Sequence, residues 1–139
     1  MEPIVVEFDV ACTPAQRFAM WTERTAMWWP RSHSMSGDPN MEVVFEPQPG
    51  GRIFERDSEG AEHAWGEIMV WDPPNRVEYW WHIFFDRSEA TFVTVTFEPA
   101  AEGTTVRLFQ DGFDTLPAEV GQPRRDRTEG AWSEVTGAY

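Results

Sequence analysis

Three histidines are the first residues in this sequence whose type could support catalysis or metal binding. His33 lies in a predicted loop, and His63 and His82 lie in two different predicted strands. None of them stands in an HxH or HExxH spacing, which would place two ligating nitrogens on one face of a single element. Convergence of all three on a metal ion is the alternative, but the pattern favours structural roles, with His33 capping a loop and His82 on the outer face of its strand. We predict no metal site.

Two glutamates, Glu55 and Glu67, lie in the middle of predicted strands between apolar residues. A carboxylate beside a tryptophan such as Trp65 loses hydration, which raises its pKa toward the range used in acid–base chemistry. The alternative is a cross-strand ion pair with Arg52, Arg56 or Arg107 on the outer, wetter face of the sheet. Strict alternation places Trp65 and Glu67 on the same face of their strand. We favour the ion-pair alternative.

The single cysteine does not indicate a catalytic nucleophile. Cys12 is the only cysteine, so neither an internal disulfide nor a cysteine-based metal cluster is expected. It precedes a predicted helix start, where a thiol pKa can fall, but no histidine is adjacent in the sequence. We assign no catalytic residue.

Eight tryptophans in 139 residues give the sequence an unusual aromatic content. Exposing all of them would create adhesive apolar patches, so several must lie inside the fold or beside a cavity. We expect most to be structural, with Trp28, Trp81 and Trp132 as candidates to line a cavity where helices meet a sheet. Trp80 and Phe84 are candidates for an apolar patch on the outward face of a strand.

The charge balance excludes two classes of partner. The net charge is −13, and all 11 basic residues are arginine. Such a chain repels phosphate backbones and anionic lipid, so we predict neither nucleic-acid nor membrane binding. The absence of lysine removes Schiff-base and P-loop chemistry. No signal peptide and no apolar run of about 20 residues is visible, so we expect a cytoplasmic protein, and we predict no cofactor.

The elements that must position these side chains follow the order strand, two short helices, six strands, long helix. Thr13, Pro14 and Gln16 form a capping-box start for the first helix, and a helical turn is predicted over 25–29. The strands are predicted over 4–11, 41–46, 52–56, 62–71, 76–85, 90–98 and 104–110. Short connections imply an antiparallel meander.

The last segment is predicted to be a long helix with Pro123 in its first turn. Thr128, Trp132, Val135 and Tyr139 recur at helical spacing and form an apolar stripe. Gly130 is expected to allow a close approach to the sheet. The elements together predict one α+β domain over residues 1–139, in which a curved seven-stranded antiparallel sheet grips the C-terminal helix.

Motifs along nearly the whole chain resemble bacterial proteins similar to the C-terminal domain of the activator of Hsp90 ATPase. They include Thr13-Pro14, Trp28-Trp29-Pro30, Phe45-Glu46-Pro47, Gly50-Gly51-Arg52, Trp65-Gly66-Glu67, Trp71-Asp72-Pro73-Pro74, Trp81-His82, Gly112-Phe113 and Gly130-Ala131-Trp132. The resemblance implies the helix-grip fold of START lipid-transfer domains and the birch-pollen allergen, with a hydrophobic cavity. The family often has histidine late in the last strand, where this sequence has Gln110, so acid–base chemistry is not expected there.

The resemblance and the aromatic content favour a binding module for a small, largely apolar molecule. The predicted cavity residues are Trp28, Tyr79, Trp81, Gln110 and Trp132. One alternative is a cyclase- or hydrolase-like enzyme that uses the same cavity. The other is a chaperone-associated or stress-response interaction domain, with a protein partner or a second copy of the chain bound on an aromatic outer face.

Overall fold

Seven strands form one antiparallel sheet in the order β1-β7-β6-β5-β4-β3-β2. A computed structural model describes all residues 1–139. The strands are β1 (Ile4–Val10), β2 (Glu42–Phe45), β3 (Arg52–Arg56), β4 (Glu62–Asp72), β5 (Arg76–Trp81), β6 (Thr91–Ala100) and β7 (Gly103–Asp111). The six consecutive strands β2 to β7 form the predicted meander, and β1 closes the edge beside β7.

Helices pack against one face of this sheet. They are α1 (Pro14–Glu23), α2 (Thr25–Trp28) and the long α3 (Ala118–Ala138), with short 3-10 turns at Arg31–His33, Arg87–Glu89 and Phe113–Thr115. This arrangement confirms the α+β helix-grip architecture predicted from the sequence. No helix is long and apolar enough to cross a membrane.

The start of α1 is the capping box that the sequence predicts. The Thr13 hydroxyl accepts a hydrogen bond from the Gln16 backbone N–H at 3.2 Å, and the Gln16 side-chain oxygen accepts one from the Thr13 N–H at 3.0 Å. Two otherwise unpaired donors are satisfied in this way, which stabilises the helix start by about 1 kcal/mol. The helix then turns Phe18, Trp21 and Thr22 into the core.

Tryptophan rings fill much of the space between sheet and helices. Six of the eight tryptophans belong to a core cluster of 22 buried residues. Trp29 lies 4.8 Å from Trp65, and Trp132 lies 6.2 Å from Trp21, between ring centroids. Each such pair contributes about 0.5–1.5 kcal/mol beyond the apolar area it buries. The aromatic content is therefore mainly structural.

Strand β5 is shorter than predicted. It ends at Trp81, which pairs with Thr91, the first residue of β6. Residues 82–85 form a turn in which the Phe85 N–H donates to the His82 carbonyl at 2.7 Å. The prediction extended the strand to residue 85 because apolar residues continue past its last paired position. His82 is consequently buried in this turn and does not lie on an outer strand face.

Two β-bulges in β4 reverse the face of its residues. The pairing with β3 passes from Gly66 to Ala64, and the pairing with β5 passes from Ile68 to Val70. Each bulge inserts one residue, here Trp65 and then Met69, so strict alternation fails. Trp65 therefore lies in the core while Glu67 is exposed, and the prediction that they share a face is wrong.

Two predictions for α3 also fail. Pro123 lies inside the helix and not in its first turn. The helix begins after Pro117, whose carbonyl accepts from the N–H groups of Val120 and Gly121. Gly130 is exposed, with no atom near the position that a Cβ would occupy, so it permits no close approach to the sheet. The predicted stripe of Thr128, Trp132, Val135 and Tyr139 does face inward, as partly or fully buried residues.

Two glycine substitutions test this account of close approach. A Cβ at Gly66 would lie 2.0 Å from the Trp80 carbonyl oxygen, so Gly66→Ala should lower the free energy of unfolding by about 2 kcal/mol or more. Gly130→Ala adds a methyl group in open space and improves helix propensity, so it should raise that free energy by about 0.5–1 kcal/mol. Urea denaturation measures both, and equal stability of the two variants would contradict the register of β4 and β5.

Candidate functional site

A pocket of about 340 Å³ lies between α3, the turn after β5 and the segment that follows α2. The sheet side and the loops contribute mainly aromatic and aliphatic side chains: Trp29, His33, Trp81, Ile83, Phe84, Phe85 and Gln110. One face of the long helix contributes the rest: Arg124, Arg127, Thr128, Ala131, Trp132 and Val135. The pocket therefore has an apolar interior with a few polar groups at defined positions, as ligand sites commonly do.

Three tryptophans form its inner wall. The ring of Trp132 lies 5.8 Å from that of Trp81 and 5.8 Å from that of Trp29. The indole N–H of Trp132 donates to the Gln110 side-chain oxygen at 2.6 Å, and the Gln110 amide nitrogen donates to the Thr91 hydroxyl at 2.8 Å. Gln110 therefore orients Trp132 and links β6, β7 and α3, with both ends of its amide group already bonded.

The five cavity residues predicted from the sequence separate into two groups. Trp81, Gln110 and Trp132 line the pocket. Trp28 and Tyr79 are buried in the core but do not line it. The structure holds no ligand that tests these residues, so ligand binding by any of the five stays a prediction.

Trp28 and Tyr79 lie outside the pocket because α1 and the last residue cover them. The Trp28 indole N–H donates to the Met20 carbonyl at 2.9 Å, and its ring lies 4.7 Å from that of Tyr139. The Tyr79 hydroxyl accepts from the Trp21 indole N–H at 3.4 Å. Burial raises the pKa of Tyr79 well above its usual value, so its hydroxyl remains protonated.

Arg124 is the polar group of the pocket that the sequence prediction omitted. Only 3% of this residue is exposed, yet no carboxylate lies within ion-pair distance of it. One guanidinium N–H donates to the Glu89 carbonyl at 2.8 Å, and the guanidinium carbon lies 3.7 Å from the ring centroid of Phe85. The sequence did contain a signal for this position: Arg124 precedes Thr128 by four residues, which places it on the same inward-facing stripe of the helix.

The environment of Arg124 compensates its charge only in part. Removing a cation from water costs several kcal/mol even after the protein relaxes, whereas a cation–π contact returns about 2 kcal/mol. Burial lowers the pKa of Arg124, the charge of Glu89 opposes this shift, and the nearby Arg127 adds to it. Because the pKa of arginine normally lies far above neutrality, the side chain stays charged. The pocket thus contains a buried cation that forms no ion pair.

His33 stands at the pocket and is oriented by a helix residue. Its Nε2 atom lies 2.7 Å from a carboxylate oxygen of Glu134 on α3. This contact joins the segment after α2 to the long helix, whereas the sequence suggested only a loop cap. A carboxylate on one ring nitrogen fixes the orientation of an imidazole and leaves the other nitrogen available for a proton.

Glu55 differs from both sequence alternatives. It is fully buried on the inner side of β3. Its carboxylate accepts hydrogen bonds from the backbone N–H groups of Met35 and Ser36, the Ser36 hydroxyl and the Trp65 indole N–H. Burial alone raises the pKa of Glu55, but these four donors outweigh it and lower the pKa below its usual value. Glu55 is therefore an ionised structural anchor for the loop at residues 35–36.

The other chemical candidates are dispersed over the surface. Glu67 is exposed and lies 3.8 Å from Arg87. It does form an ion pair on the surface, but its partner comes from a turn and is none of the cross-strand arginines predicted for it. His63 lies 3.1 Å from Asp57 in a hairpin. No group of three or more histidine, cysteine, aspartate or glutamate side chains is arranged to hold a metal ion.

The outer face of the sheet carries an aromatic row that begins at Trp80. The ring of Trp80 lies 6.1 Å from Phe92, which lies 6.3 Å from Phe109. Phe84, predicted beside Trp80, instead lines the pocket from the turn, because β5 has already ended. Binding of a protein partner or a second copy on this row stays a prediction.

Comparisons with known proteins agree on the family and the fold. The sequence model of the family described as activator of Hsp90 ATPase homolog 1-like protein matches residues 11–137. No curated protein sequence matches the chain. Among solved structures, an anthrahydroquino-gamma-pyrone synthase, determined as a complex, is 34% identical, with 79% of this chain and 76% of that chain covered and a TM-score of 0.60.

Two more distant structures share the fold. A protein from Mesorhizobium loti has a TM-score of 0.68 at 18% identity, with 99% of this chain and 93% of that chain covered. A protein from Rhodobacter sphaeroides has a TM-score of 0.66 at 24% identity, with 98% of this chain and 84% of that chain covered.

A pH titration of stability tests the anchor role of Glu55. Because its folded pKa is lowered, the stability it contributes is fully present above its unfolded pKa of about 4.3 and is lost as pH falls through the folded value. Glu55→Gln should lower the free energy of unfolding at pH 7 by about 2 kcal/mol and flatten the loss of stability below about pH 5. The exposed Glu67→Gln is the matched control, expected within about 0.5 kcal/mol of wild type. An unchanged acid limb in Glu55→Gln would contradict the assignment.

Proposed function

The chain belongs to the family of activator of Hsp90 ATPase homolog 1-like proteins, and on that premise we propose that it binds a small hydrophobic molecule in the pocket beside α3. Residues 1–139 act as one START-like domain in this proposal, supported by the single core cluster that spans the sheet and the helices. We place its activity in the cytoplasm, where its one free cysteine stays reduced.

One observation supports binding above all: the aromatic core does not fill the space between α3 and the turn after β5. Beyond Trp81 and Trp132 the side chains leave about 340 Å³ unfilled, at the lower end of the range of about 300–1,000 Å³ found for ligand pockets. A pocket of this size suits a small molecule with a few rings better than a long lipid chain. Its walls are held by Gln110 and by ring packing, so little ordering is needed when a ligand binds.

A neutral fluorescent probe tests the proposal. N-phenyl-1-naphthylamine should bind the wild-type protein with increased emission, because it leaves water for an apolar site. Ala131→Trp places an indole in the pocket and should weaken this binding by at least about tenfold. Ala138→Trp, on the same helix and outside the pocket lining, is the matched control and should bind like wild type.

Equal probe binding by Ala131→Trp and wild type would contradict the proposal, because the probe would then occupy another surface. Circular dichroism and thermal unfolding of both tryptophan variants establish that the comparison is made on folded proteins. Loss of binding in both variants would likewise count against the pocket, since Ala138 does not line it.

A second function, catalysis in the same pocket, is favoured by the His33–Glu134 contact of 2.7 Å. An imidazole held by a carboxylate can accept a proton from carbon next to a carbonyl group. A relative with 34% identity carries the name of a synthase, which supports a reaction on an aromatic substrate. His33 would act as the base in this function, and Glu134 would position it.

Deuterium exchange into the methyl group of 2-acetonaphthone in D2O tests this second function. Mass spectrometry should show exchange catalysed by the wild-type protein and lost in His33→Gln, while probe binding is retained. The exposed surface variant Glu102→Gln is the control and should exchange like wild type. Exchange at the buffer rate with wild-type protein would leave binding as the function.

A further inference from the structure

The pocket lining contains two neighbouring cations without acidic partners. Arg124 and Arg127 both line the pocket, three residues apart on α3. Neither forms an ion pair, whereas Arg52, Arg56 and Arg125 each bind two carboxylates. Four other arginines also form no ion pair, but Arg24, Arg31 and Arg76 are exposed and Arg17 is half-buried. Arg124 is the only buried arginine in this chain of net charge −13. Like charges at this spacing repel each other, so the arrangement favours an anion between them and the opposite wall.

Arg124 retains hydrogen-bond donors that no protein group uses. The guanidinium group has five N–H donors, and one of them is used, on the Glu89 carbonyl. No fully buried side-chain nitrogen or oxygen lacks a hydrogen-bond partner, so the unbonded Nε and Nη2 atoms retain accessible surface although only 3% of the residue is exposed. Since Arg124 lines the pocket, the pocket is the space from which a ligand can reach these donors.

Phe85 fixes the plane in which a ligand can be bound. Its ring covers one face of the guanidinium group at 3.7 Å. A stacked guanidinium group keeps its edge available, and a carboxylate binds that edge through two parallel hydrogen bonds in the same plane. The Trp81 and Trp132 rings form the apolar wall of the same pocket, where a flat aromatic ring can pack.

We propose that the ligand is a planar aromatic acid whose carboxylate, or an equivalent ionised oxygen, binds Arg124 while its rings contact the tryptophan wall. This inference rests on the proposed function, because it names the chemical class of molecule that the same pocket binds. Arg127 adds positive potential at the exposed side of the site. The imidazole of His33 in the lining is already bonded to Glu134, and Arg127 is exposed, so Arg124 is the group that distinguishes an acid from a neutral molecule.

Isothermal titration with two matched ligands tests this inference. 2-Naphthoate and 2-naphthamide have nearly the same shape, and only the first is charged. Wild-type protein should bind the acid at least about tenfold more tightly than the amide. Arg124→Gln should remove this preference by weakening acid binding and leaving amide binding within about twofold. Arg76→Gln changes the net charge equally at an exposed site and should keep the preference.

Three outcomes would overturn the inference. Equal affinities of wild type for acid and amide would show that the pocket does not distinguish a charged ligand from a neutral one. The proposed binding of apolar molecules would still stand. Parallel losses of both affinities in Arg124→Gln would show that the arginine only tethers the turn at Glu89. Binding of neither compound would reject this ligand class, and the neutral probe with Ala131→Trp then shows separately whether the pocket binds apolar molecules. The comparison of acid with amide on wild-type protein needs no variant to fold.

Discussion

The rest of the structure depends on the contact that Trp132 of α3 makes with Gln110 and Trp81 of the sheet. Its indole N–H is held by Gln110 at 2.6 Å, and its ring contacts those of Trp21, Trp29 and Trp81. If the buried indole N–H had no hydrogen-bond partner, the free energy of unfolding would fall by about 1–3 kcal/mol. Only one register of α3 against β7 brings this N–H to Gln110, and that register is therefore favoured. On one side of this ring lies a filled aromatic core, and on the other side lies the pocket.

The same register explains why a charged residue is buried on α3. Arg124, Thr128 and Trp132 follow one another at four-residue spacing, so fixing Trp132 brings Arg124 under the turn that follows β5. The segment between β5 and β6 contributes Phe85 and the carbonyl of Glu89, which stabilise the cation without neutralising it. An arginine kept there at a cost to folding is consistent with a role in ligand binding, because sites that bind charged groups often retain such unfavourable local arrangements.

Local signals made much of the fold predictable. The capping box at Thr13 involves residues three positions apart, and the meander follows from turn residues between apolar runs. The bulge at Trp65 and the end of β5 at Trp81 were missed because each depends on the neighbouring strand, which periodicity within one strand does not describe. Arg124 was missed as a site residue because arginine side chains are usually exposed, so the residue type alone gave no reason to expect a buried one. Trp28 and Trp81 look alike in the sequence, and only the packing of α1 and Tyr139 over Trp28 separates core from pocket.

A crystal structure of the protein grown with saturating 2-naphthoate tests the central claim most directly. The account predicts electron density for the naphthalene rings against Trp132 and Trp81, with both carboxylate oxygens within hydrogen-bond distance of the Arg124 guanidinium group. Density on the outer face of the sheet, or a carboxylate directed to solvent while Arg124 keeps only its bond to Glu89, would contradict it.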